Sequence, residues 1–192
     1  MSEAEARATL RRLDPFGTER ESAFDEITRV AAFVCDTPIA LINFVDDDPQ
    51  WTKGGVGLDL HDVPLIELIC GYAIRQPEAF IVRDLCDDFR FNHIVRKREG
   101  ARLRFYAGVR LETAEGLALG MLSVLDDRPR PDGLTVTQGA ALHLLAKSIM
   151  NHLELHRANA KLAEREMRFR TILDAIPQKI WTARPDGVRD YF

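Results

Sequence analysis

The chain has 192 residues, 46% hydrophobic and 29% charged, enough to bury one full core and leave a remainder for a linker or fragment. Its 26 Lys+Arg against 30 Asp+Glu give a net charge of -4 without any basic block, which excludes nucleic acid as a partner read through its phosphates. The charged start Ser2-Glu3-Ala4-Glu5-Ala6-Arg7 is unlike a signal peptide, and the longest apolar run, Leu117 to Leu125, falls far short of the ~20 residues that span a bilayer, so a cytoplasmic chain with no membrane segment is expected.

Two capping boxes open the chain, Ser2 with Glu5 and Thr18 with Glu21, separated by the helix stop Asp14-Pro15-Phe16-Gly17. The first predicts a helix over residues 1–17. In the second helix Phe24, Ile27, Ala31 and Val34 fall on one face. Pro38 then introduces a short apolar run, residues 39–45, rich in strand formers and closed by Asp46-Asp47-Asp48-Pro49; Gln50 to Val56 is expected to return beside it. Pro64 suits a first helical turn, with Leu65, Ile69 and Ala73 at four-residue spacing and Gln76-Pro77 as the stop. A strand at residues 80–83, a polar helical stretch over 92–102, and two strands at 105–111 and 117–125 follow, the last pair joined by a loop ending in Gly116. Thr135 and Gln138 form a third capping box and open the longest helix.

This order argues for an α+β fold with a central, largely antiparallel β-sheet flanked by helices. The terminal helices are expected on one face. The crossover segment is expected on the other, leaving a concave space for a small ligand.

The long helix changes character along its length. Leu142, Leu145, Ala146, Ile149 and Leu153 make a broad packing face. Beyond it Leu155, Leu162, Phe169 and Ile176 repeat every seven residues, with Leu173 offset by four, and the surface between is charged, including Glu164/Arg168 and Glu166/Arg170. This predicts a coiled-coil linker over 157–170 and a parallel homodimer, with Asn159 and Glu166 as polar interruptions; a solvated helix is the alternative.

From about Thr18 to His156 the chain resembles the GAF family of regulatory domains. The matching segments are Phe24-Asp25 with Ile27-Thr28, Pro38-Ile39-Ala40-Leu41, Trp51 with Lys53 and Gly57-Leu58, residues 81–85, and Asp88 with Arg90-Phe91. The most specific are Phe105-Tyr106-Ala107-Gly108-Val109 and residues 119–126. Residues 169–192, with a hairpin turn at Asp186-Gly187, resemble the opening helix and first hairpin of a PAS domain, placed at 171–192. Tandem GAF and PAS domains occur in sensor histidine kinases and cyclic-dinucleotide enzymes. The resemblance therefore implies a non-catalytic sensory module in a longer signal-transduction protein, with a sensor histidine kinase as the first expectation and a long signalling helix as the relay.

No catalytic constellation is expected. The aspartate cluster 46–48 reads as a solvated turn rather than a metal site, and Gly54-Gly55 with Gly57 reads as a flexible strand exit because no helix or Gly-Lys-Ser/Thr follows. Of the histidines, His61 and His93 lie near the crossover, where either haem ligation or a structural hydrogen bond would suit them. Three cysteines, Cys35, Cys70 and Cys86, fit neither a disulfide framework nor a zinc site. Some bilin-binding GAF domains attach their chromophore through a pocket cysteine. Cys70 has the helix for it, yet Gly71 follows where His or Tyr is usual.

No cofactor is required by the sequence. The ligand-site candidates are Trp51, Cys70, Tyr72, Asp84, Phe91, His93 and Tyr106, with ordinary core packing as the alternative. A bilin or haem sensor and a methionine sulfoxide reductase-like enzyme are the other functional classes.

Overall fold

The computed structural model describes residues 22–44, 52–57, 63–95, 103–175, 181–183 and 189–191. The predicted helix at residues 1–17, the capping box of Thr18, the aspartate turn, Trp51 and His61 lie outside them. Two units are distinguished, Met1–Glu154 and Leu155–Phe192.

The first unit begins with α1 (Ser22–Cys35). Phe24, Thr28, Ala31, Ala32 and Cys35 are buried on one side while Glu26, Arg29 and Phe33 are exposed, so of the predicted stripe Phe24 and Ala31 are buried and Ile27 and Val34 half-buried. The helix ends in a Schellman motif: Thr37 N–H donates to Ala32 C=O (2.9 Å) and Asp36 N–H to Phe33 C=O (3.2 Å), with Asp36 at φ 52° in the left-handed region. Arg130 donates to the carbonyls of Cys35 and Asp36, and Gln138 Nε2 donates to Val34 C=O, so carbonyls at this helix end are satisfied by side chains from far along the chain.

Five strands form one antiparallel sheet: β1 (Ile39–Phe44), β2 (Thr52–Val56), β3 (Phe80–Val82), β4 (Phe105–Glu112) and β5 (Ala118–Asp126), in the spatial order β2-β1-β5-β4-β3. Every residue of β1 is buried, because both faces of the central strands are covered. That is why residues 39–44 read as an unbroken apolar run instead of an alternation. Gly54 and Gly55 are paired within β2 with Ile42 and Leu41, so the expected flexible exit is instead ladder. Gly54 is needed there because a Cβ would come 3.0 Å from Phe24 Cβ, and its absence lets α1 lie directly on this edge strand.

Between strands run α2 (Val63–Ala73) and the short α3 (Asn92–Val95). The last helix, α4 (Val136–Ala175), starts at the predicted capping box, with Thr135 N–H donating to Gln138 Oε1 (3.0 Å) and Gln138 N–H to Thr135 Oγ1 (3.2 Å).

The sheet separates two cores. On one face Phe24, Ala31 and Cys35 of α1 and Leu142, Ala146, Ile149 and Leu153 of α4 pack on Ala40, Ile42, Val109, Leu122 and Val124. On the other, Leu65, Ile66, Ile69 and Cys70 of α2, with Leu85, Phe91 and Val95 of the crossover, pack on Leu41, Val82, Tyr106, Met121 and Leu125. The second unit contains the remainder of α4 and an antiparallel hairpin, β6 (Trp181–Ala183) with β7 (Arg189–Tyr191), in the register Trp181↔Tyr191.

Candidate functional site

The crossover face holds a small set of polar side chains in an otherwise apolar core. The registers Leu41↔Ser123 and Gly108↔Ser123 place the Ser123 hydroxyl in the middle of that face, with Asn43 and Tyr106 on neighbouring positions of β1 and β4. Cys70 descends onto it from α2. The Tyr106 and Ser123 hydroxyls are 2.8 Å apart, and Cys70 Sγ lies 3.3 Å from Tyr106 Oη, 3.6 Å from Asn43 Oδ1 and 3.8 Å from Ser123 Oγ. All four residues are buried, so each satisfies a partner that water cannot reach. Gly108 makes the arrangement geometrically feasible: a Cβ there would stand 2.6 Å from Tyr106 Oη and 2.9 Å from Ser123 Oγ.

Burial pushes the Cys70 thiol up to about 11, only partly offset by its polar neighbours, and raises Tyr106 well above the usual phenol value. Cys35 is likewise pushed up to about 11 by burial. Both thiols are therefore protonated and unreactive at neutral pH. They also belong to cores on opposite faces of the sheet, which keeps them out of disulfide reach.

Beside this cluster stands an aromatic triangle of Tyr72, Phe80 and Phe91, with centroids 5.3 Å (Tyr72–Phe80), 5.8 Å (Tyr72–Phe91) and 6.2 Å (Phe80–Phe91) apart. The Arg90 guanidinium lies 4.8 Å from the Phe80 centroid, 5.3 Å from Tyr72 and 5.5 Å from Phe91, and is held by Asp88 through a two-point ion pair of 2.8 and 2.6 Å. Phe80 links the triangle to Tyr106 at 6.1 Å.

The sequence candidates thus separate. Cys70, Phe91 and Tyr106 are brought together in the buried core, and Tyr72 stands at its exposed rim. Asp84 is engaged elsewhere: it accepts from Arg104 Nε (2.8 Å) and from the Cys86 N–H (3.0 Å), and the Arg104 guanidinium holds its carboxyl below the usual range. His93 is exposed, and Trp51 lies outside the described residues. Asn43, Ser123, Phe80 and Arg90 were not among the sequence candidates. Alternation along β1 and β5 would have put Asn43 and Ser123 on one face; Phe89 and Phe91 flank Arg90 in sequence, but nothing local signals that its guanidinium also lies against Tyr72 and Phe80. Two surface grooves, of ≈ 740 Å³ beside Phe33 and Arg130 and ≈ 300 Å³ beside Arg110 and Lys147, share no lining residue with the six described candidates. Among the described residues no group of His, Cys, Asp or Glu is placed to hold a metal ion, and no helix is long and apolar enough to cross a membrane.

Comparison with known proteins agrees with this architecture. A cyclic di-GMP phosphodiesterase of Pseudomonas aeruginosa is 37% identical over 155 residues, which is 79% of this chain and 26% of that protein, so the chain spans about a quarter of the length of the curated relative it matches. The GAF domain of an Acinetobacter phosphoenolpyruvate-protein phosphotransferase superposes with a TM-score of 0.54 at 15% identity, covering 82% of this chain and 97% of that one. A domain ascribed to a two-component sensor histidine kinase of Sinorhizobium meliloti gives 0.55 at 15% identity, covering 78% and 99%. The model of the GAF domain matches residues 19–155, the span that carries the sheet and both of its cores, and the chain belongs to the GAF domain family.

Proposed function

We propose that this chain is the non-catalytic sensing end of a longer signalling protein whose output is an enzyme of cyclic-dinucleotide turnover. The observation that carries this reading is the 37% identity to a cyclic di-GMP phosphodiesterase. The likeness to a histidine kinase domain, at 15% identity, speaks for the fold alone, so the kinase output expected from the sequence ranks second. The test is to assay hydrolysis of cyclic di-GMP by the protein extended beyond residue 192, with and without residues 19–155. Activity absent from the 192-residue chain, present in the extended protein and altered by the deletion is expected; an extended protein inert toward cyclic dinucleotides overturns the reading.

Within that role, a small ligand is taken on the crossover side, where Tyr72, Phe80 and Phe91 present aromatic walls beside the Cys70 cluster, and the response leaves through α4. Relay runs through a parallel homodimer. Leu155, Leu162 and Phe169 stand exposed along one column of α4, and pairing two copies removes that apolar surface from water. Light scattering on this chain is expected to give a dimer at micromolar concentration, and Leu155→Glu/Leu162→Glu a monomer; a monomeric parent overturns the relay. The hairpin β6–β7 supports a PAS domain beginning here, which the extended protein would also test.

The cofactor-dependent alternatives lose support from the same geometry. The Cys70 thiol is buried, hydrogen-bonded and followed by Gly71, which disfavours chromophore attachment, and the two protonated thiols on opposite faces disfavour a sulfoxide reductase.

A further inference from the structure

The Arg90 guanidinium occupies a box whose walls come from other elements. Tyr72 of α2, Phe80 of β3 and Phe91 meet at interplanar angles of 51° (Tyr72–Phe80), 89° (Tyr72–Phe91) and 78° (Phe80–Phe91), so the rings wall one position from different directions. Phe89 adds a fourth ring at 5.9 Å from the guanidinium carbon. Phe80 and Phe91 are buried in the crossover-face core with Tyr106 and the inner side of α2, a packing that does not depend on the cation. The remaining side is the Asp88 carboxylate. Its Oδ1 also accepts from the Arg90 backbone N–H at 2.9 Å, which keeps it in place wherever the Arg90 side chain points.

The occupant, by contrast, is held locally. Both charge-assisted hydrogen bonds of its guanidinium run to Asp88, two residues back, at 2.8 and 2.6 Å. Two other arginines join distant parts of the fold: Arg130 reaches the Cys35 carbonyl across 95 positions, and Arg104 reaches Asp84 across 20. Arg90 makes no such long-range hydrogen bond, and its side chain is 27% exposed, so rotation about its own side-chain bonds empties the box.

Rings at 4.8, 5.3, 5.5 and 5.9 Å from one cation, with a carboxylate that meets it at two points, form a receptor for a planar cation carrying parallel N–H donors. A quaternary ammonium would use the rings but could donate nothing to Asp88; an alkylguanidinium uses both. We propose that this box is a binding site for a free alkylguanidinium compound and that Arg90 is a built-in occupant which the ligand displaces. The proposal gives the chemical class of the small ligand placed above on the crossover side, and rests on that reading. A side chain tethered this closely competes at an effective concentration of roughly millimolar, so Arg90 sets the ligand level at which the site fills.

The experiment titrates methylguanidinium chloride into the isotopically labelled 192-residue chain and its Arg90→Ala variant, following the amide resonances of Tyr72, Phe80 and Phe91 by NMR, with equal sodium chloride as the blank. Both proteins are expected to show saturable shifts at these positions, with an apparent Kd at least roughly tenfold lower in Arg90→Ala, where the competitor is gone. Tetramethylammonium should bind that variant roughly fivefold more weakly than methylguanidinium, and Arg90→Ala/Asp88→Asn should lose the preference. No saturable shift overturns the site, and the parent titration decides this alone if Arg90→Ala does not fold. Equal affinity in parent and variant overturns Arg90 as the occupant, and equal affinity for the two cations overturns the guanidinium class. A blocked arginine amide that binds where methylguanidinium does not assigns the box to a partner's arginine and overturns the free ligand. Each of these failures leaves the cyclic-dinucleotide output standing, whereas an extended protein inert toward cyclic di-GMP overturns that output and leaves a measured cation site in place.

Discussion

The hydroxyl of Tyr106 sits 2.8 Å from that of Ser123, directly over Gly108, whose missing side chain leaves the space both oxygens occupy. Tyr106→Phe should cost about 1–2 kcal/mol by leaving Ser123 and Cys70 short of a buried partner. Gly108→Ala should cost about 1–3 kcal/mol by overpacking. In the double variant the closest clash, 2.6 Å to Tyr106 Oη, is gone. Urea unfolding followed by circular dichroism should therefore show a double-variant loss smaller than the sum, by at least ~0.5 kcal/mol; strict additivity would mean the two positions do not share this space.

The thiols give a pH signature. Folding raises Cys70 and Cys35 from 9.0 to about 11, favouring the protonated form, so their contribution is complete below pH 9 and is lost as pH rises toward 11. Tyr106 shifts in the same direction. Stability should fall through that alkaline window, and Cys70→Ala should flatten the fall. A thiol reagent at pH 8 should label the half-buried Cys86 first, and Cys35 and Cys70 only on unfolding.

Asp36 holds the left-handed position of the Schellman motif at φ 52°, where glycine is free of the Cβ penalty. Its contacts to α1 and Arg130 use backbone atoms. Asp36→Gly should therefore stabilise by about 0.5–1 kcal/mol, and Asp36→Val should destabilise by a similar amount or more. Thermal melts of the three proteins decide it, and a glycine variant that melts lower refutes the account.

Arg90 joins the Asp88 carboxylate to the rings of Tyr72, Phe80, Phe89 and Phe91. Arg90→Ala should cost about 1–2 kcal/mol, and Arg90→Lys should restore less than half, because an ammonium lacks the planar fork that meets Asp88 at two points. Arg90 lowers the Asp88 carboxyl, so the pair contributes above the ordinary carboxylate range and fades as pH falls through it. Parent and Arg90→Ala stabilities should converge toward acid; a gap that stays constant down to the acid limit would assign the effect to ring contact alone.

Much of the architecture was legible because its signals are local. The capping box of Thr135 and Gln138 occurs as read, the stripe of α1 points inward, and the β4–β5 loop closes where Gly116 marks it, with Gly116 N–H donating to Thr113 C=O at 2.9 Å. Strand ends shifted by one residue, to Val82, Glu112 and Asp126, since terminal pairing depends on the neighbouring strand. The predicted helix over 92–102 is described only as Asn92–Val95, its remainder lying outside the described residues.

The sequence by itself determined the order of elements, the separation of an outward-facing α4 column from an inward-facing one, and the family, because periodicity, caps and turn residues act within a few positions along the chain. Only the tertiary structure decided what the polar residues do. Cys70 meets Tyr106 across 36 positions and Ser123 across 53, Arg130 closes α1 from 95 positions away, and Asp84 pairs with Arg104 across 20. Such pairings are set by which strand lies beside which and by the need of each buried polar atom for a partner, and neither is written in the spacing of any single segment.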